Sequence, residues 1–443
     1  MTLESQIESL TTNDIDPATR RAVRRTVVGG AVGSIVEFYE FSTYGVLATT
    51  LAIVFFPSTD TTASLLATLA VFAVAFFARP LGGFVWGSIG DRIGRKRTLA
   101  LTIILMSVFT TLMGIVPGHA AIGVIAPILI IALRFLQGVA AGGEVSGAVS
   151  FVAEHSPART RGFNVGMITV GAGTGTLLGT IVPSILLLTL TTEQMTEWGW
   201  RIPLLIALPL GIIGLYIRRR LDETPYFLSL AKQGDTSDHP IRSALSGSRQ
   251  WRLLITAFLI TALNAASFYM LAGYLPTFAR TSLELTGFAA LAPVVIAVAC
   301  AIIAEVIAAR ISDRVGRKRV LMVTAIGHLI LALPCFLLIT SGQFGLIVVG
   351  LVVLSAPIGG YAAVTNSTLI ELFPTRVRVS GHGITYNLSV AIFGGAAPYL
   401  LTWLTGMTGS ILVGAFYLMA LAVIAIPVLL SLTESAGKPL RTE

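Results

Sequence analysis

The sequence predicts an all-α membrane protein of twelve transmembrane helices, arranged as two pseudo-symmetric six-helix bundles. Three observations predict it. Of the 443 residues, 54% are hydrophobic and 12% charged, against about 25% charged in an average soluble domain. Apolar runs long enough to cross a bilayer, which takes about 20 mostly apolar residues, recur from end to end. Two short patterns of the first half return in the second.

The apolar runs lie at 27–51, 66–88, 98–117, 121–150, 163–190, 202–217, 253–276, 289–309, 319–340, 343–368, 380–404 and 409–432. Residues 1–26 are polar, and no small-residue cleavage site follows the first run, so they are expected to be a retained cytoplasmic tail rather than a leader. An even number of spans puts both termini on one side. The stretch 218–252 is the longest polar segment, divides the chain almost in half and reads as a cytoplasmic linker. The expected divisions are a tail at 1–26, bundles at 27–217 and 253–432 joined by that linker, and a tail at 433–443.

Basic residues set the orientation. Of 30 Lys and Arg, 26 fall in alternate loops; Arg201 and Arg280 lie at the opposite ends, and Arg79 and Arg134 fall within spans. Lys and Arg collect on the cytoplasmic side, and a miscounted helix would scramble the segregation. The expectation is a multi-pass protein of the plasma membrane, with both termini in the cytoplasm. The formal charge of +8 is therefore a topology signal, and no nucleic acid is expected as partner. Cys300 and Cys335 sit inside apolar runs, where ordinary packing explains them better than a disulfide.

The halves repeat. Gly90-Asp91-Arg92-Ile93-Gly94-Arg95-Lys96-Arg97 recurs as Ser312-Asp313-Arg314-Val315-Gly316-Arg317-Lys318-Arg319, 222 residues later. Glu154, Pro157 and Arg161 recur as Glu371, Pro374 and Arg378, 217 residues later. Each pattern follows the second or fourth span of its half, so the halves are related by an axis along the membrane normal.

At these loops the chain resembles the major facilitator superfamily, whose loop signature is matched by Gly87-x-x-Gly90-Asp91-Arg92-x-Gly94-Arg95-Lys96. Further segments are similar to one branch, the metabolite:proton symporters, which include α-ketoglutarate, citrate, shikimate and proline/betaine permeases. They are Val36-Glu37-Phe38-Tyr39-Glu40-Phe41, Arg79-Pro80-Leu81-Gly82-Gly83, Arg134-x-x-Gln137-Gly138 running to Gly142-Gly143-Glu144, Trp198-Gly199-Trp200-Arg201-Ile202-Pro203 and Glu371-Leu372-Phe373-Pro374. The resemblance implies the major facilitator fold and secondary transport by alternating access. Two departures qualify it. The branch commonly has Asp at the position of Glu40, and the carboxyl-terminal extension of osmosensing proline/betaine members is missing after Leu432, which lowers the expectation of osmoprotectant uptake. Gly171-x3-Gly175-x3-Gly179 forms a small-residue stripe for close helix approach. Its spacing is similar to a drug:proton antiporter signature, but Thr176 replaces that signature's proline, which favours a symporter over an exporter.

Charges inside spans are costly and face a cavity or a partner. Glu37 and Glu40, three residues apart, share a face of helix 1 with Tyr44. Arg79 and Arg134 fall at similar depth, so two acids and two arginines are expected to neutralise one another in a central cavity. Arginine's planar fork matches carboxylates, which makes Arg79 and Arg134 the candidates for gripping an anionic substrate. Glu37 or Glu40 would couple a proton, undecided between them, and a static tie between helices 1, 2 and 4 is the alternative. Gln137, Tyr39, Asn264, Ser267, Tyr274, Tyr361, Tyr386 and Asn387, with Thr365, are the other candidate lining groups. Glu305 is a second proton candidate, with pairing to a loop cation as the competing reading. Asp91, Arg92, Arg95, Glu144, Glu154, Arg161, Asp313, Arg314, Arg317, Glu371 and Arg378 are expected to be gating parts.

The expected function is proton-coupled uptake of a small organic anion, a mono- to tricarboxylate, with a zwitterion such as proline or betaine as the alternative. No cofactor or metal is expected beyond the coupling proton, because the five histidines are scattered and no zinc-ligand spacing, nucleophile elbow or phosphate loop occurs. An enzyme is therefore not expected. The expected partners are the small-molecule substrate and the lipid bilayer, with the chain acting as a monomer.

Overall fold

The structure is a computed structural model that describes residues 17–93, 95–220, 247–283, 285, 287–374 and 377–440. Most of the expected 218–252 linker lies outside the described residues. Among them, twelve helices are long and apolar enough to cross a membrane. The first six are α1 (Arg20–Phe55), α2 (Thr61–Trp86), α3 (Lys96–Ile115), α4 (Ile125–Glu154), α5 (Arg161–Thr189) and α6 (Thr192–Arg219). The second six are α7 (Ser248–Thr281), α8 (Phe288–Val315), α9 (Arg317–Ile339), α10 (Phe344–Leu372), α11 (Arg378–Thr408) and α12 (Val413–Ser431).

Buried apolar side chains fall into two main cores. One is built wholly from the second half, the other from α1–α6 with Ala265, Tyr269, Ile370, Tyr386, Val390 and Ala391 added from the second half. Large side chains such as Phe77, Ile128, Val323 and Leu430 point outward, as helices dissolved in lipid require. Between the halves, α5 packs on α8 and α10, α11 on α2, and α7 on α1.

Glycine sets the closest helix approaches. A Cβ on Gly171, Gly175 or Gly179 would strike the α1 backbone at Ala31, Ile35 or Tyr39, so the α5 stripe is the seat of α1. On α4, a Cβ at Gly138 would overlap the Ala75 carbonyl and one at Gly142 the Arg79 carbonyl. The second half repeats this contact, because a Cβ at Gly359 of α10 would overlap the Ala301 carbonyl of α8. Gly142 and Gly359 are 217 residues apart and Arg79 and Ala301 are 222 apart, the offsets of the two repeated loops. The internal repeat is therefore a repeat of backbone packing, and the position of Arg79 is occupied in the second half by an uncharged Ala301.

Beyond α12, the Glu434 carboxylate accepts hydrogen bonds from the backbone N–H of Arg317 (2.9 Å) and Lys318 (3.2 Å) at the start of α9. Burial pushes this carboxyl up, but bonds from the N–H groups of Ala436, Arg317, Ser435 and Lys318 outweigh it and leave the carboxyl below its ordinary value. A carboxyl depressed in the folded state stabilises at pH values above its unfolded value, and that contribution is lost as pH falls through the folded one. Residues 433–440 should therefore become protease-sensitive on acidification before the helices do. A tail equally protected at all acidic pH values would refute this.

Candidate functional site

Glu37, Glu40, Arg79 and Arg134 are all fully buried. Arg79 Nη2 on α2 donates to Glu37 Oε1 on α1 at 2.6 Å. The guanidinium lies against the rings of Phe41 and Phe76, 4.6 and 4.9 Å from their centroids. The pair is only half satisfied, since Glu37 Oε2 and Arg79 Nε and Nη1 have no hydrogen-bond partner.

The second acid behaves differently from the sequence expectation. Glu40 forms no ion pair with Arg134. Its oxygens accept from Ser107 (2.9 Å), Thr110 (2.6 Å) and Gln137 Nε2 (2.9 Å). Arg134 Nη1 donates to Gln137 Oε1 at 2.5 Å, and its guanidinium stacks 3.6 Å over the Tyr44 ring. Of the two acids, only Glu37 forms an ion pair with an arginine among the described residues. The two α3 hydroxyls satisfy Glu40 locally, and the Gln137 amide, able to donate and accept at once, stands between the charges.

A small cavity of about 20 Å³ lies between the halves, bordered by Phe38, Asn264, Phe268, Tyr269, Asn366 and Tyr386. That is room for about one water. Neither Arg79 nor Glu37 borders the cavity; the Phe76 ring links them to it, meeting the Tyr269 ring at 4.9 Å and the Arg79 guanidinium at 4.9 Å. Tyr269 Oη and Asn264 Oδ1 are buried without hydrogen bonds.

Of the other predicted lining groups, Asn264 and Tyr386 border this cavity and several do not. Tyr39 donates to the Pro203 carbonyl on α6 (2.8 Å), Ser267 to Leu263 of its own helix (2.8 Å), and Tyr361 to Ile260 (3.1 Å). Thr365 donates to Tyr361 of its own helix (2.8 Å), and Tyr274 pairs with Thr405 (3.4 Å). Asn387 bridges the halves by donating to the Gly142 carbonyl at 2.7 Å. Tyr274 leaves the face of Asn264 because Met270–Tyr274 is a π-turn, whose extra residue rotates the remainder of α7 by about 100°. Sequence reasoning missed Phe38, Phe268, Tyr269 and Asn366. Phe38 sits inside a matched motif and Asn366 is an amide inside an apolar run, so both carried a signal; Tyr269 and Phe268 carried none. It also passed over His382, which is buried between Ser146 of α4 (3.1 Å) and Asn366 of α10 (3.3 Å).

Contacts between the halves bracket the cavity at both ends. At the end bearing the repeated loops, the Asp313 carboxylate accepts from the backbone N–H of Gly162 (3.0 Å) and Phe163 (2.8 Å), at the start of α5. A helix start favours negative charge. Arg161 pairs with Glu371 (3.5 Å) and Arg378 with Glu154 (3.8 Å), both across the halves. Arg317 braces Asp313 (2.8 Å) and Glu371 (3.3 Å) within the second half. Glu144 does not belong with these: it pairs with Arg218 of α6 and accepts from Thr102 (2.7 Å), all inside the first half. Its ion pair therefore ties α4 to α6 rather than one half to the other. Arg314 is exposed, and the side chains of Asp91, Arg92 and Arg95 lie outside the described residues. At the opposite end, Arg280 of α7 reaches the Val46 carbonyl (3.5 Å) and the Thr49 hydroxyl (3.4 Å) of α1.

Three kinds of likeness bear on this arrangement. The sequence profile of the Major Facilitator Superfamily matches residues 31–398. The chain is 36% identical over 448 aligned positions to a proline/betaine transporter of Salmonella typhimurium, covering 100% of this chain and 89% of the relative. It is 37% identical to the ectoine/proline transporter ProP of Corynebacterium glutamicum, covering 97% and 88%. Among solved structures, the proton:xylose symporter XylE bound to 6-bromo-6-deoxy-D-glucose superposes with a TM-score of 0.75 at 18% identity, covering 95% of this chain and 98% of that one.

Proposed function

The chain belongs to the Major Facilitator Superfamily, and from that premise we propose that it is a proton-coupled carrier taking up a small zwitterion of the proline/betaine class. One observation carries the reading. The cavity is walled by Phe38, Phe268, Tyr269 and Tyr386, and beyond the Phe76 ring lies an ion pair with a free half on each partner, Arg79 Nε and Nη1 and Glu37 Oε2. A zwitterion needs a fork for its carboxylate, which arginine provides, and aromatic faces for its ammonium. The organic anion expected from the sequence fits less well, because Arg79 is already matched by Glu37 and Arg134 is stacked on Tyr44. The relatives named for proline, betaine and ectoine transport support the same choice.

In this reading the solute carboxylate engages Arg79 and loosens its bond to Glu37, which then takes the proton. Glu37 is preferred to Glu40 as the coupling group because three donors already satisfy Glu40. The cross-half pairs Arg161–Glu371 and Arg378–Glu154, with Asp313 on the start of α5, open in turn with the Arg280 end, as the 27–217 and 253–432 bundles rock. The end with the basic loops faces the cytoplasm, as do both termini.

Uptake of labelled proline, glycine betaine and α-ketoglutarate into proteoliposomes tests this. Proline or betaine should accumulate under an inward proton gradient and collapse with a protonophore. Accumulation of α-ketoglutarate alone would overturn the zwitterion reading in favour of an anion. Proline movement indifferent to the gradient would remove proton coupling.

A further inference from the structure

The seam between α5 and α8, where the two halves meet, contains a carboxyl group that has no part in solute binding or in the coupling at Glu37. Glu305 of α8 is 1% exposed and lies about 15 Å along the helix from Val315. The sequence left open a pairing with a loop cation, but among the described residues Glu305 makes no ion pair, and its Oε2 has no hydrogen bond. It faces Gly173 of α5: a Cβ built there would stand 2.9 Å from Glu305 Oε2 and meet Ile302 at 2.8 Å. Gly173 is thus the gap into which the carboxyl fits while the halves are together.

The surroundings offer no countercharge. Along α5, Arg161 is the sole ionisable side chain, twelve residues from Gly173 and engaged with Glu371. On α10, Tyr361 bonds to Ile260 and Glu371 lies at the helix end. On α9, His328 stacks edge-on against Tyr361 and bonds to Thr324. On α8 itself, Arg310 lies over Phe163 and Asp313 is held at the start of α5. A carboxylate without a partner is disfavoured in such a place, whereas a carboxylic acid is tolerated.

We propose that Glu305 is a second proton-binding site, which holds its proton while the α5–α8 seam is closed and releases it to water when the seam opens. Closure of the two halves is thereby tied to protonation at a place separate from the solute cavity. The proposal rests on alternating access between the two bundles, but not on the identity of the solute. Raising the pH favours the open seam, because the ionised carboxylate is stable only when water reaches it.

The test uses the full chain in lipid nanodiscs, with Cys300 and Cys335 replaced and spin labels at Thr160 and Val315, two exposed positions flanking the Asp313–Gly162 contact. Between about pH 5 and about pH 9, the distance between labels should lengthen with Glu305 present and stay short in Glu305→Gln, which mimics the protonated acid. E305Q should also lose most of its gradient-driven accumulation of labelled proline, with E305D intermediate. An E305Q protein that opens with the same pH midpoint, or a parent chain that does not respond to pH, overturns the proposal. A parent chain that accumulates no proline refutes the reading of the solute instead, and the label distances still decide on Glu305.

Discussion

Arg79→Ala should abolish gradient-driven proline accumulation while Glu37→Gln abolishes accumulation but spares exchange. The alanine variant loses the guanidinium packed against Phe41 and Phe76 and leaves Glu37 buried without its 2.6 Å partner. Truncating one member of a buried charge pair costs about 2–5 kcal/mol, so apparent affinity should fall roughly 30-fold or more, at about 1.4 kcal/mol per tenfold. Arg79→Lys should fare little better, since a point charge cannot lie between Phe41 and Phe76 as a planar fork does. The double variant R79A/E37Q separates folding from transport. It removes the stranded carboxylate and should recover the parent's thermal stability, but not its uptake. Proline exchange persists in E37Q because Arg79 is intact and no proton needs to move. An R79A protein that folds and accumulates proline like the parent would show the pair to be a structural tie between α1 and α2 and nothing more.

The second large effect is on stability. Glu144→Ala strands Arg218, which is 1% exposed and otherwise donates only to the Leu99 carbonyl at 2.5 Å. Breaking a buried pair by removing one partner costs about 3–5 kcal/mol. At about 2–4 °C per kcal/mol for a unit of this size, the detergent-solubilised protein should lose roughly 6–20 °C of thermal stability. The loss should belong to the pair: the double variant Glu144→Met, Arg218→Met should recover most of it, because an apolar pair of similar volume replaces a buried ion pair at little cost. If E144A melts with the parent, the ion pair contributes nothing to the first half.

How much of this was legible beforehand differs from residue to residue. The glycines at 171, 175 and 179 were readable as a seam because a four-residue period of small side chains has one geometric use, and α1 does occupy it. That Glu37, Glu40, Arg79 and Arg134 would be buried was readable because each interrupts an apolar span. Which acid would meet which arginine was not, since three of the four donors to Glu37 and Glu40 come from α3 and α4, at separations of 67 to 97 residues. The partner of Glu144 was not readable for the same reason. Its partner Arg218 lies 74 residues on, and in the sequence it looked like one more basic residue of a loop.

The sequence by itself determined the number of spans, their segregation of basic charge and the twofold repeat, because these follow from local composition and the length a bilayer demands. It also marked Glu154, Arg161, Glu371 and Arg378 as one group, since their charges recur at a fixed offset. Tertiary structure alone decided which of two similar acids is left half satisfied, which aromatic rings wall the cavity, and that Glu305 faces a glycine rather than a cation. Each of these depends on how one helix is rotated against another, and a single π-turn after Tyr269 is enough to change that rotation without altering the hydropathy pattern.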